Sequence, residues 1–170
     1  LPAYGLGDRK SVSRDHFADA RLDRAMTCLG RDRGAAGERW LRAAVEGGRR
    51  RGDEETQAKA GRHLTEQMIA RDDWDSARRS VLDLLGRLRG WHARVAVADM
   101  AGQVLIAVGD LHRADGLLSA VSAEALVLGQ TLPSAIRLRQ AQVRFWQGRF
   151  EEAGHLASGL DDARPEESVW

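Results

Sequence analysis

The stretch WQGRFEEAGHLASGL, Trp146 to Leu160, decides how this chain is read. Gly148, Phe150 and Ala153 form a Gly-x-aromatic-x-x-Ala core, with apolar residues flanking it at helical spacing. That pattern reads as the waist of a helical hairpin: a turn, then a helix whose small residue lets its partner approach. Slid backwards, the template recurs. GDLHRA supplies Gly109, Leu111 and Ala114, 39 residues earlier, and DDWDSA supplies Asp72, Trp74 and Ala77, 37 residues before that. A further step of 41 reaches Arg31 and Ala36, where only the small sixth residue persists. The first unit is therefore degenerate.

A second register agrees with the first. Seven residues before each turn position stand Thr65, Gly102 and Ala141, all small, whereas Arg24 breaks the rule in the first unit. Small side chains here and at the template Ala allow two helix backbones to come close. The map that follows has eight helices, at about 14–29, 34–49, 53–71, 74–88, 92–108, 110–128, 134–147 and 149–160. Asp53 and Ser134 read as N-caps, with Pro133 before the seventh helix. Val81, Leu84, Leu85 and Leu88 form one apolar stripe, and Leu117, Leu118 and Val121 another.

Composition fits this map. The 170 residues are 43% hydrophobic and 30% charged, with three prolines and few aromatics, a mixture that favours helix over sheet. A net charge of +1 argues against a polyelectrolyte partner, so nucleic acid is not expected to bind this chain. Lys10 and Lys59 are the only lysines, so the positive charge is almost all arginine. Cys28 is the single cysteine, which permits no intrachain disulfide and no cysteine metal cluster and fits a cytoplasmic location. No apolar run has the length of a membrane span, so no membrane partner is expected. The first residue is Leu1 rather than Met, which suggests a piece of a longer protein.

Periods of this size with two helices each are the mark of helical solenoids. The three in-phase copies over residues 16–160 resemble the tetratricopeptide repeat, at a spacing somewhat longer than its usual ~34 residues. The longer period also resembles the sensor arms of large bacterial transcriptional activators. Two features depart from the pattern: first-helix aromatics are mostly missing, and only Pro133 lies where a repeat-ending proline belongs. The resemblance implies an all-α fold, a right-handed α-α superhelix of about four hairpins over residues 14–160. Residues 1–13 then read as a linker or disordered lead, and 161–170 as a tail or a truncated next repeat.

In that family the inner face of each first helix lines a concave groove. Counting back from the turns places Arg62 and Glu66, Asp99 and Gln103, and Leu138, Gln142 and Phe145 on it. Ile69, Ile106 and Phe145 would give the face an apolar edge, and the polar row would hydrogen-bond a peptide backbone. The expected role is a non-catalytic protein- or peptide-binding module without a cofactor. The alternative is a ligand-sensing regulatory domain of a larger transcriptional regulator or ATPase, with a small-molecule effector. An exposed apolar end would also suit a homodimer.

Other chemistry is weaker. GLGDRKS, Gly5 to Ser11, lacks the glycine before Lys10 that a phosphate loop needs. His63 and Glu66 have a helical i,i+3 spacing usable by a metal, but no second pair joins them. Cys28 reads as a small buried thiol. Arg49, Arg50 and Arg51 form a basic cluster in a predicted turn beside Asp53, Glu54 and Glu55, which reads as a mixed-charge loop. Trp40 and Trp74 fall in core registers, and Trp91 opens the fifth helix.

Overall fold

The computed structural model describes residues 12–29 and 34–158, and these form eight α-helices with no strand. They are α1 Val12–Leu29, α2 Gly34–Arg51, α3 Glu54–Ile69, α4 Trp74–Arg87, α5 Trp91–Ala107, α6 Leu111–Leu128, α7 Ser134–Trp146 and α8 Phe150–Ser158. Each lies within two residues of its expected span. The expected lead is described only from Val12, and the expected tail at 161–170, the GLGDRKS stretch and Arg31 lie outside the described residues.

The three turn positions share one conformation. Asp72, Gly109 and Gly148 have φ of 61°, 78° and 76°, the left-handed region that ends a helix. At Gly109 the chain closes by two crossed hydrogen bonds, Gly109 N–H to the Ile106 carbonyl at 3.0 Å and Asp110 N–H to the Leu105 carbonyl at 2.9 Å. At Gly148 the same pair runs from Gly148 to Phe145 at 3.0 Å and from Arg149 to Arg144 at 2.9 Å. Asp73 and Asp110 then cap α4 and α6, accepting from the N–H groups of Ser76 and Arg113. Trp74, Leu111 and Phe150 are the first helical residues, and Ala77, Ala114 and Ala153 are buried one turn further on. At Gly109 to Ala114 the local sequence thus sets stop, cap and close approach within six residues.

Asp53 caps α3, its side chain accepting from Thr56 N–H at 3.0 Å. Ser134 does not cap α7. Pro133 holds that place with φ −58° and ψ 144°, and makes no side-chain cap bond; its carbonyl accepts from Ile136 N–H at 3.1 Å. The helix starts at 134 as expected, but the cap place falls on Pro133, whose ring fixes φ at the helix entry, and Ser134 is already the first helical residue. The arginine cluster also shifts: Arg49, Arg50 and Arg51 are the last turn of α2, because the left-handed stop falls at Gly52 with φ 70°.

The chain divides into two compact units between Asp72 and Asp73. In the first, α2 packs on α1 and α3, with Leu41, Ala44, Ala60 and Leu64 in its core. Thr65 is fully buried there and satisfies its hydroxyl on the Gly61 carbonyl at 2.9 Å. Ala36 is only half-buried and Gly37 is buried instead, so the degenerate first copy is displaced by one residue. Cys28 is half-buried rather than enclosed. Trp40 is half-buried too, with the Arg24 guanidinium 5.4 Å above its ring.

In the second unit α4 packs on α5, and α7 packs on α5, α6 and α8. Its core joins Ala98 and Leu105 of α5, Ala114, Leu118 and Val121 of α6, and Ile136 and Val143 of α7. Gly102 marks the tightest approach: a Cβ there would sit 3.2 Å from a Leu118 methyl and 3.7 Å from Arg139 Cβ. Ala141, at the equivalent place in α7, is buried as well. Val81, Leu84 and Leu88 are buried, with Leu85 half-buried against the core. Among the described residues no helix is long and apolar enough to cross a membrane.

Candidate binding face

Helix α7 carries Leu138, Gln142 and Phe145 at i, i+4 and i+7, hence along one side. Leu138 is 42% and Phe145 53% exposed, Trp146 beside it 64%, and Phe150 across the turn 62%. The left-handed Gly148 folds α8 back so that Phe150 meets Phe145. Ring centroids lie 5.4 Å apart for Phe145 and Phe150 and 5.6 Å for Phe145 and Trp146, both edge-on. Three solvent-facing aromatic rings therefore form one patch at the α7–α8 turn. The Phe145 ring touches the other two, so the three are a grouping rather than a scatter of surface apolar residues.

The polar row takes a different form from the one expected. Arg139 gathers it: Nε donates to Asp99 Oδ1 at 2.9 Å, Nη1 to Gln142 Oε1 at 3.1 Å, and Nη2 to Gln103 Oε1 at 3.5 Å. Asp99, Gln103 and Gln142 are thus brought together: Asp99 and Gln103 tie α5 to α7 through Arg139, and Gln142 accepts from Arg139 within α7. Arg139 was not among the sequence candidates. It stands 40 residues after Asp99, one place off the repeat of 39, so the spacing alone does not single it out.

Arg62 and Glu66 sit in the first unit, on α3. His63 Nδ1 lies 2.8 Å from Glu66 Oε2, and that hydrogen bond holds the Glu66 carboxyl below its usual range. Arg62 Nε is shielded from solvent with no hydrogen-bond partner among the described residues. Among those residues no group of three or more His, Cys, Asp or Glu is placed to hold a metal ion. The basic cluster is paired only in part: Arg49 and Arg50 share Glu46 at 2.8 and 2.9 Å, which pulls its carboxyl down to about 2, and Arg51 lies 3.8 Å from Asp53.

A second arginine braces the patch from behind. Arg144 of α7 binds Asp115 of α6 at 2.5 Å and reaches Glu152 of α8 at 3.5 Å. The Arg144 hydrogen bond lowers the Asp115 carboxyl from its ordinary value. Gln140 adds a bond to Ser122 Oγ at 2.9 Å. Helix α7 is therefore fixed on three sides by polar contacts, while Leu138, Phe145 and Trp146 face water. Comparison with known protein families, curated proteins and solved structures finds no match to this chain.

Proposed function

We propose that this chain is a non-catalytic, tetratricopeptide-like helical-repeat module that binds a protein or peptide through the exposed side of α7 and the α7–α8 turn. One observation carries the reading. Leu138, Phe145, Trp146 and Phe150 stay in water although the helix bearing them is rigidly held. A preorganised aromatic patch loses little freedom on binding, and aromatic residues supply most of the energy in contacts of this kind. The in-phase turns at Asp72, Gly109 and Gly148 support the repeat part of the reading.

A peptide-display selection against the folded chain tests it. Enriched peptides should carry apolar or aromatic anchors and should lose binding to the Leu138→Ser, Phe145→Ser double variant. A selection that enriches nothing, or peptides indifferent to the double change, would remove the proposal.

A further inference from the structure

Two hairpins of the second unit can be laid on one another by the repeat of 39 residues. Asp99 then corresponds to Leu138, Gln103 to Gln142, Ile106 to Phe145, Ala107 to Trp146 and Leu111 to Phe150. Of the first set, Asp99 and Gln103 bond Arg139 of α7, and Asp99, Ile106 and Leu111 are half-buried while Gln103 and Ala107 are exposed. Ile106 is half-buried against the core that Ile136 and Val143 of α7 join, and Asp99 pairs with Arg139. Among the described residues no further helix lies over the second set, where Leu138 stands in place of the charged Asp99 and aromatic rings stand in place of Ile106, Ala107 and Leu111.

From this correspondence we infer that the α7–α8 edge receives an amphipathic helix of a partner, laid along α7 as α7 lies along α5. The occupant's chemistry follows from the one charge that is missing. Helix α7 needs Arg139 because Asp99 faces it. On the open edge Leu138 stands in the place of Asp99, so an arginine at that register would lose its carboxylate. The fitting helix carries an aliphatic residue there, with further apolar residues three places before it and four places after, matching Ile136 and Val143. This inference rests on the binding role proposed above and names the partner's class.

The test uses the full chain and two synthetic helices, stapled on their outward side, with the sequence of residues 134–146. One keeps Arg139 and the other carries Arg139→Leu. Titrating each labelled peptide with the protein should show saturable binding, about tenfold tighter for the leucine peptide, because a half-buried arginine without its partner is costly. Phe145→Asp in the protein should abolish it; Trp146→Asp serves as a second variant, and circular dichroism reports whether either still folds. Equal affinities, or binding that survives both changes, would overturn the inference. If neither helix binds while display-selected extended peptides do, the helix inference falls and the binding role stands. If no peptide of either kind binds, both fall. Sedimentation of the parent covers the remaining occupant: self-association that Phe145→Asp dissolves would assign the edge to a second copy and overturn a partner helix.

Discussion

The hairpin α5–α6 and the hairpin α7–α8 are written alike and finished differently. Both turn on a left-handed glycine, both close with the same crossed hydrogen bonds, and both bury an alanine six places into the motif. Yet Ile106 is half-buried beside the core while Phe145, its counterpart, is largely in water. The contrast separates two kinds of information. A turn and a helix waist depend on residues within one hairpin. Whether a face is core or contact surface depends on the neighbour, which the hairpin's own residues do not encode.

That contrast can be attacked at several places. The largest effect should come from Ala114→Trp, which forces an indole into a fully buried contact; overpacking should cost ~3 kcal/mol. Thermal or urea unfolding checks it, and an unchanged midpoint would mean that Ala114 is not at a tight helix contact. Next come Gly109→Ala and Gly148→Ala. Each puts a Cβ on a residue with positive φ, so both should lose ~1 kcal/mol, and by similar amounts, because the turns are equivalent. A clear loss at one and none at the other would break the equivalence.

Asp110→Ala removes the side chain that accepts from Arg113 N–H and should cost ~1 kcal/mol. The corresponding place in the last hairpin is Arg149, so Arg149→Ala should cost less.

The smallest effect concerns pH. Arg144 holds the Asp115 carboxyl below its ordinary 3.8. A lowered carboxylate contributes stability that is present above 3.8 and lost as pH falls through its lowered value. Unfolding midpoints measured from pH 5 downwards should therefore fall less steeply for Asp115→Asn than for the parent. Parallel slopes would show that the Asp115–Arg144 pair adds nothing in solution.

How much of this was readable beforehand follows the same division. The left-handed turns at Asp72, Gly109 and Gly148 and the buried places Ala77, Ala114, Ala153, Thr65, Gly102 and Ala141 follow from spacing, because each is set by residues close by in the chain. Of the α7 residues expected on the groove, Leu138 and Phe145 are exposed and Gln142 is half-buried against Arg139. What escaped was interaction between hairpins. Arg139 was passed over because its partners Asp99 and Gln103 lie a whole repeat away, and a pairing at that distance leaves no mark in local periodicity. Ser134 was misread as a cap because the pattern of types ignored how strongly Pro133 fixes its own φ. Of the expected polar row, Asp99, Gln103 and Gln142 meet at Arg139 in the second unit, while Arg62 and Glu66 lie on α3 in the first.

The most direct test compares Ile106→Asp with Phe145→Asp by equilibrium urea unfolding. These are the same place in two hairpins, one beside the core that α7 joins and one exposed among the described residues. A carboxylate at Ile106 enters the apolar contact and should cost ~3 kcal/mol or more. At Phe145 it enters water, and the loss should stay near ~1 kcal/mol, mainly from the two edge-on ring contacts. Equal losses at the two positions would contradict the account, because they would show that the α7–α8 edge is already covered in solution.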